Sequence, residues 1–218
     1  MLTGPEVAPA SGGPAKQLVV FLHGLGADGD DLIELAPFFA AALPDAAFVS
    51  PHAPQPCDLA PFGRQWFSLQ DQAPHLMLDG ARQSAPLLNQ FIDAKLAELG
   101  LSDDALVLVG FSQGTMMALH VALRRKVAAA AVVGFSGLLI GPEVLAEELA
   151  SRPPILLIHG QQDEVVSFGF LEYARAALEK VGLPVLALAC PDLGHSIDED
   201  GLKAAVAFTA QTLNGARG

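Results

Sequence analysis

Gly110-Phe111-Ser112-Gln113-Gly114 joins an apolar run to a segment with the apolar spacing of a helix. The apolar run is residues 105–109, and the helical pattern covers residues 115–125. A serine between two glycines in this setting predicts a strand, a sharp turn and a helix, with the hydroxyl raised at the carboxyl end of a sheet. The helix would aim its N-terminus at whatever the serine attacks. If the serine is a nucleophile, an acid and a histidine should follow later strands.

Strands and helices alternate along the rest of the chain. Continuously apolar strands that alternate with helices indicate a mostly parallel sheet covered on both faces. Between two of these strands lies a long proline-rich loop, residues 51–78, and such a loop in a compact domain is usually functional. The predicted strands are residues 17–22, 47–50, 105–109, 128–135, 155–158 and 185–189, and the predicted helices are residues 30–43, 80–99, 115–125, 168–181 and 197–213.

Asp163 is the candidate acid. It comes shortly after the predicted strand at residues 155–158, where the carboxyl edge of the sheet would bring it near the serine. An aspartate in such a loop also commonly caps a turn, and its position alone leaves that alternative open. Asp192 and Asp198 are rivals for this role. Asp192 is too near the candidate base in sequence, and Asp198 suits the first turn of the last helix.

His195 is the candidate base, because it follows the last predicted strand. A lone histidine in a loop is more often simply exposed, but the chain order Ser112, Asp163, His195 is the order expected of α/β-hydrolases. In this hypothesis Ser112 attacks an acyl carbonyl, His195 carries the proton and Asp163 orients the imidazole. None of the other histidines follows the last strand; they are His23, His52, His75, His120 and His159.

Two backbone N–H groups should stabilise the negative charge that develops on the reacting oxygen. Gln113, directly after Ser112, is expected to supply one of them from the start of the helix. The other is expected from Leu25, within the segment His23-Gly24-Leu25-Gly26 that follows an early strand. Taken alone this segment reads as an ordinary tight turn, and only its combination with the serine turn supports an oxyanion hole.

The chain of 218 residues fits one domain, predicted at residues 16–218 after a flexible leader at residues 1–15. Its 24 acidic and 12 basic residues give a formal charge of -12, which disfavours partners such as nucleic acid or anionic lipid. The sequence has no signal-peptide pattern and no apolar run near the ~18 residues of a membrane span, so a cytoplasmic location is expected. Cys57 and Cys190 form neither a disulfide framework nor a metal-ligand spacing, and neither a metal nor an organic cofactor is implied.

Six segments spread along the chain carry a combined pattern. They are Phe21-Leu22-His23-Gly24-Leu25-Gly26, Pro51-His52-Ala53-Pro54, Trp66-Phe67, Gly110-Phe111-Ser112-Gln113-Gly114, His159-Gly160-Gln161-Gln162-Asp163-Glu164-Val165-Val166 and Gly194-His195. Together they resemble the serine carboxylesterase/phospholipase family, which includes bacterial carboxylesterases and acyl-protein thioesterases. The resemblance implies an α/β-hydrolase fold with a doubly wound sheet and no large lid domain, the same catalytic residues, and carboxylic ester or thioester substrates. The chain departs from the family at Thr115, where a glycine is usual, and at Ser68, where an acid is frequent.

The proline-rich loop supplies candidates for an apolar wall that would bind the acyl group. They are Trp66, Phe67 and Leu69, and Val166 is a further candidate for substrate binding. Trp66 equally fits a purely structural role, in which it anchors the loop to the core. Because the chain has no large insertion, we expect a shallow and open cleft that suits small or medium acyl chains.

Hydrolysis of small-molecule carboxylic esters through an acyl-serine intermediate is the leading functional hypothesis. Cleavage of thioesters or lysophospholipids is the nearest alternative, and the sequence does not separate these substrates. Peptidase activity is a further alternative within the enzymes. A hydrolase-fold protein that only binds a ligand is the alternative outside them, and the complete set of serine, aspartate and histidine argues against it. A homodimer is left open.

Overall fold

Nine strands lie within residues 1–215, the part of the chain that the computed structural model describes. They are β1 (Glu6–Val7), β2 (Gln17–Leu22), β3 (Ala46–Val49), β4 (Gln55–Pro56), β5 (Arg64–Gln65), β6 (Leu106–Phe111), β7 (Ala131–Phe135), β8 (Ile155–Gly160) and β9 (Val185–Cys190). Seven of them form one sheet in the order β1-β3-β2-β6-β7-β8-β9, and β4 pairs with β5 in a separate hairpin. Neighbours in the large sheet are parallel except β1 and β3.

Helices cover both faces of the large sheet. They are α1 (Gly29–Leu32), α2 (Ala36–Ala40), α3 (Pro74–Leu99), α4 (Gln113–Ala122), α5 (Leu145–Glu148), α6 (Gly169–Lys180) and α7 (Glu199–Gly215), with two 3₁₀ helices at Ile33–Leu35 and Asp103–Ala105. One buried apolar cluster joins the sheet to α3, α4 and α6, and a second joins its other face to α1, α2 and α7. The central strands are therefore apolar on both faces, which explains their continuous rather than alternating hydrophobic pattern.

The predicted fold class is confirmed: the chain forms a mostly parallel, doubly wound α/β sheet. No large lid domain is found within residues 1–215, and no helix among them has both the length and the apolar character needed to cross a membrane. Because parallel strands end at the same edge of a sheet, the loops after β6, β8 and β9 come together there.

Proline explains the two largest differences between the observed and the predicted helices. α3 begins at Pro74 rather than at residue 80, because proline is favoured at the first position of a helix. The helix predicted at residues 30–43 is divided into α1, a 3₁₀ turn and α2, with Pro37 in the first turn of α2. Pro37 has no N–H to donate to the preceding turn, so it interrupts the hydrogen bonds of a continuous α-helix.

The proline-rich loop contains a hairpin, β4 and β5, that the sequence analysis does not predict. Each of its strands has only two residues, so no alternation of apolar and polar side chains is visible. The loop ends at Ala73 rather than at residue 78, since α3 follows directly. β7 also begins three residues later than the predicted bound of 128, at Ala131.

The N-terminal segment is attached to the sheet. Glu6–Val7 pairs antiparallel with β3, and the N–H of Ser50 donates to the carbonyl oxygen of Pro5 at 3.0 Å. The structure therefore differs from the flexible leader expected at residues 1–15. The physical reason is that the edge of β3 offers unpaired backbone groups, which an extended segment satisfies whatever its composition.

Thr115 occupies space that two glycines leave free. A Cβ atom at Gly134 would overlap the γ-methyl group of Thr115, and a Cβ atom at Gly137 would overlap the Thr115 side chain as well. The Oγ1 atom of Thr115 lies 2.8 Å from the carbonyl oxygens of both Gly110 and Phe135, which share its single proton. The departure from the family pattern at position 115 is thus accommodated by small residues at and just after β7.

Gly134→Ala should lower the free energy of unfolding by about 1–3 kcal/mol, because the added methyl group would overlap that of Thr115. Thr115→Ser removes the threonine methyl group and keeps the hydroxyl. Gly134→Ala should therefore lower the free energy of unfolding by less when residue 115 is serine. Urea unfolding of the complete double-mutant cycle measures the difference. Equal costs in the two backgrounds would contradict this packing argument.

Candidate active site

Ser112 lies at the turn between β6 and α4, with backbone angles of φ 53° and ψ -117°. A positive φ is strained for a residue with a side chain. The turn is feasible because the residues two positions before and after Ser112 are glycine: a Cβ atom at Gly110 would overlap the backbone of Gly114, and one at Gly114 would overlap the carbonyl oxygen of Leu22. The N–H of Ser112 donates to the carbonyl oxygen of Phe135 at 2.9 Å and so ties the turn to β7.

The three residues predicted as acid, base and nucleophile lie together at the carboxyl edge of the sheet. The Oγ atom of Ser112 is 3.0 Å from Nε2 of His195, and Nδ1 of His195 is 2.7 Å from Oδ2 of Asp163. The imidazole also packs on the ring of Phe111, with centroids 4.9 Å apart. In this arrangement a histidine can take the serine proton while the aspartate holds the imidazole.

Asp163 is held from both of its carboxylate oxygens. Oδ1 accepts the backbone N–H groups of Val165 and Val166 at 2.9 and 2.8 Å, and Oδ2 faces His195. The carboxylate is completely buried. Burial raises the pKa of Asp163, but the hydrogen bonds from His195, Val166 and Val165 outweigh it, so the pKa lies below its ordinary value. The group is therefore ionised and available as a partner for an imidazolium.

Two of the rival residues have structural roles. His23 is buried, and its Nε2 accepts the N–H of Ala53 at 3.0 Å, so the ring proton is on Nδ1 and is donated to the carbonyl oxygen of Gly24 at 2.7 Å. Burial lowers the pKa of His23, which keeps the ring neutral. Asp198 accepts the N–H of Gly201 at 2.7 Å and caps the start of α7. This is the helix-terminal role that the sequence indicates for Asp198.

The two predicted oxyanion donors belong to segments next to Ser112. Gln113 is the first residue of α4, and Leu25 lines the same cavity as Ser112. The loop that carries Leu25 approaches the serine closely, since a Cβ atom at Gly24 would lie 3.3 Å from Cβ of Ser112. The structure thus brings both candidate donors to the surroundings of the serine hydroxyl.

The side chain of Gln113 has a role that the sequence analysis does not predict. Its Oε1 accepts the N–H of Trp66 at 2.9 Å, and its Nε2 donates to the carbonyl oxygen of Phe67 at 2.7 Å. The indole N–H of Trp66 donates to the carbonyl oxygen of His23 at 3.0 Å, and the hydroxyl of Ser84 donates to the carbonyl oxygen of Trp66. The fully buried amide therefore fastens the proline-rich loop to the serine turn.

An apolar cavity of about 700 Å³ opens beside Ser112 and His195. Leu69 and Val166, both predicted as substrate-binding residues, line it. Trp66 and Phe67, also predicted there, do not line it, because their side chains are 0% and 2% exposed and belong to the core cluster of α3 and α4. The position of Trp66 matches the alternative in which it anchors the loop.

Residues 138–143, which follow β7, form a wall of this cavity that the sequence analysis misses. This wall and the start of α3 give the cavity a volume in the ordinary range of ligand-binding sites. No motif marks these residues, because what they contribute is mainly apolar surface. Further apolar residues around the cavity are Leu25, Leu59, Met77, Met116, Val165, Phe170 and Tyr173.

Asp28, Asp30 and His52 are the three potential metal ligands that lie close together among residues 1–215, with one ligand atom of each within 4.8 Å of the others. Two of these side chains are engaged at the start of α1: Asp28 accepts the N–H of Asp30 at 2.9 Å, and Nδ1 of His52 accepts the N–H of Gly29 at 3.1 Å. None of the three lines the cavity beside Ser112. Their contacts are explained by the local backbone.

The chain matches the phospholipase/carboxylesterase family over residues 3–213. It is 30% identical to esterase YpfH of Escherichia coli over 200 residues, which cover 92% of this chain and 84% of that protein. It is 28% identical to acyl-protein thioesterase 1 of Neurospora crassa over 212 residues, which cover 89% of this chain and 86% of that protein.

The structure is also similar to solved structures. It matches the crystal structure of esterase PE8 with a TM-score of 0.92 and 43% sequence identity, over 97% of this chain and 99% of that one. It matches acyl-protein thioesterase 2 of Zea mays with a TM-score of 0.76 and 26% identity, over 96% and 98% of the two chains. These matches confirm the predicted α/β-hydrolase fold and the family resemblance. The chain belongs to the phospholipase/carboxylesterase family of hydrolases.

Proposed function

We propose that the chain is a serine hydrolase that cleaves carboxylic esters through an acyl-serine intermediate. The observation that carries this proposal is the hydrogen-bonded series Ser112, His195 and Asp163, which meets an apolar cavity at the serine hydroxyl. Membership of a family that contains esterases supports the reaction type. In this proposal Ser112, His195 and Asp163 are the catalytic residues.

The first half of the reaction forms the acyl-enzyme. Oγ of Ser112 attacks the carbonyl carbon of the ester while Nε2 of His195 takes the hydroxyl proton. The carbonyl oxygen becomes an oxyanion, which the N–H groups of Leu25 and Gln113 stabilise in this mechanism. The carbon–oxygen bond to the alcohol then breaks, and the imidazolium of His195 returns its proton to the departing oxygen. Asp163 stabilises the imidazolium through Nδ1.

The second half reverses these roles with water in place of the alcohol. His195 takes a proton from the water, whose oxygen attacks the acyl carbon and forms a second tetrahedral intermediate. The bond between the acyl carbon and Oγ of Ser112 then breaks, and the proton passes from His195 to the serine oxygen. The carboxylic acid leaves, and the serine hydroxyl is restored.

The cavity favours an acyl group of medium length over an acetyl group. Each methylene transferred from water to an apolar wall contributes about 0.8 kcal/mol until the wall is covered. Leu69, Leu138 and Met116 are among the residues that offer such a wall. A cavity of about 700 Å³ lies in the range that encloses most of a small organic ligand.

Hydrolysis of acyl thioesters is the second candidate function. A thioester presents the same acyl carbonyl to Ser112 and differs in its leaving group, so the same three residues serve both reactions. The specific observation in its favour is the similarity to acyl-protein thioesterase 1, which extends over 89% of this chain. Comparing the rates for an ester and a thioester with the same acyl group separates the two candidates.

A cytoplasmic location and a homodimer remain predictions, and so does cleavage of lysophospholipids. The alternative of a protein that binds a ligand without catalysis also remains to be tested. It requires that the serine hydroxyl, although 3.0 Å from the imidazole, does not react. Covalent labelling of the serine addresses this alternative directly.

Ser112→Ala should abolish labelling by a fluorophosphonate and lower kcat/KM for a butyryl ester by roughly 10⁴-fold or more, because the nucleophile is removed. Ser11→Ala is a matched control at an exposed residue of the N-terminal segment, and it should label and turn over like the wild type. Intact-protein mass spectrometry and initial rates measure the two effects. Equal labelling of Ser112→Ala and the wild type would reject the proposed nucleophile.

Activity should fall toward acid pH, between about pH 8 and pH 5, where histidine side chains take up a proton. A protonated His195 cannot accept the proton of Ser112. Because the pKa of Asp163 lies below its ordinary value, this carboxylate stays ionised through the whole range and adds no separate loss. A plot of kcat/KM against pH should therefore have one acid limb, and a flat profile would count against His195 as the base.

In a series of acetyl, butyryl, octanoyl and palmitoyl esters, kcat/KM should rise from acetyl to octanoyl and fall at palmitoyl, when the chain outgrows the cavity. Leu138→Trp narrows the cavity, so it should reduce the rate for the octanoyl ester and leave the acetyl ester nearly unchanged. Initial rates at low substrate concentration measure both trends. A maximum at palmitoyl, or an equal loss for both esters in the variant, would contradict the assignment of this cavity to the acyl group.

A further inference from the structure

A second histidine, His159, lies against the carboxylate of Asp163, at the same oxygen that faces His195. The side chain of His159, at the end of β8, is 1% exposed. Its Nε2 is 2.9 Å from the carbonyl oxygen of Val166 and 3.2 Å from Oδ2 of Asp163. The mechanism above does not use this residue.

The surroundings of His159 select one form of the ring. Both atoms near Nε2, the carbonyl oxygen of Val166 and Oδ2 of Asp163, are acceptors, so Nε2 must carry a proton. The ring of Phe168 meets the imidazole edge-on, with centroids 6.1 Å apart and an interplanar angle of 86°. The donor is thus fixed in direction by packing as well as by its hydrogen bond.

The contacts of His159 span the turn that holds the acid. Asp163 begins this turn and accepts the N–H groups of Val165 and Val166 through Oδ1. His159 binds the carbonyl oxygen of Val166, at the end of the same turn. One imidazole N–H therefore faces both the carboxylate and the backbone that positions it.

We propose that His159 is a positioning residue: its Nε2–H closes the turn of residues 163–166 and holds the Asp163 carboxylate in the orientation that accepts the Nδ1–H of His195. This inference rests on the proposed function, since it concerns the same carboxylate. His159 does not touch the substrate or the reacting atoms and acts only through Asp163.

The Nε2–H of His159 also faces the negatively charged Oδ2 of Asp163, so it competes with the Nδ1–H of His195 for this oxygen. Removing this donor leaves more of the charge to stabilise a protonated His195, so the acid limb of the rate profile should move to higher pH. The other titratable groups on the turn and on the surrounding elements are Glu164 on the turn, Glu172, Tyr173, Arg175, Glu179 and Lys180 on α6, Cys190 on β9, Asp192 and Asp198 in the loop after it, and Glu199, Asp200 and Lys203 on α7.

His159→Phe tests the proposal, because it keeps a flat ring against Phe168 and removes the donor. We expect kcat/KM for the octanoyl ester to fall by roughly 10- to 100-fold with little change in KM. We also expect the midpoint of the acid limb to rise by about half a pH unit. Thermal unfolding of each variant is measured in parallel, so that a loss of stability is recorded separately from the loss of rate.

Two polar variants provide the matched comparison. The amide nitrogen of glutamine reaches the position of Nε2, so His159→Gln should restore most of the rate and return the acid limb toward the wild-type pH. The shorter side chain of asparagine reaches only as far as Nδ1, so His159→Asn should restore neither the rate nor the wild-type acid limb. If His159→Phe does not fold, the comparison of His159→Gln with His159→Asn still tests the proposal.

An unchanged acid limb in the folded His159→Phe protein, or equal rates for His159→Gln and His159→Asn, would overturn the proposal. Fluorophosphonate labelling of Ser112 in the wild type separates this failure from failure of the proposed function. If the wild type labels and turns over ester while the histidine variants behave alike, only the role of His159 is rejected. If the wild type does neither, the proposed function is rejected with it.

Discussion

The close approach of α4 to β2 at the Ser112 turn is the steric constraint on which the rest of the site depends. A Cβ atom at Gly114 would overlap the carbonyl oxygen of Leu22, so only glycine allows the first turn of the helix to sit against the strand. Ser112 takes a positive φ as a result, and its N–H is held by Phe135 on the neighbouring strand. β2, β7 and α4 contact this turn and hold Ser112 in its strained conformation.

The same turn organises the loop over the site. Gln113 is buried with both ends of its amide bonded to the backbone of Trp66 and Phe67. A buried amide without partners would cost about 1–3 kcal/mol. The hydrogen bonds of Gln113 therefore stabilise the position of the loop against the Ser112 turn. The indole of Trp66 then binds the carbonyl oxygen of His23, next to the segment that carries Leu25. Gln113, the proline-rich loop and His23 are thus joined by hydrogen bonds.

The candidate acid and base lie in a different part of the fold. Asp163 and His195 follow β8 and β9, whose parallel pairing sets the spacing of the loops after them. The cavity walls come from other segments again, residues 138–143 and the start of α3. Because Ser112, His195 and Asp163 lie on other segments than most of the cavity walls, the walls can change without a change in the arrangement of these three residues.

Local patterns in the chain were sufficient for the alternation of strands and helices, the serine turn, and the order of Ser112, Asp163 and His195. These features depend on glycine spacing and on apolar runs, which neighbouring residues determine. The tertiary structure alone decided that Trp66 is a buried anchor, that residues 138–143 wall the cavity, and that His159 faces the acid. The first two features depend on which side chains from distant segments meet. The third depends on the fold of the turn that brings Asp163 back toward His159, four residues earlier in the chain. No local sequence pattern carries this information.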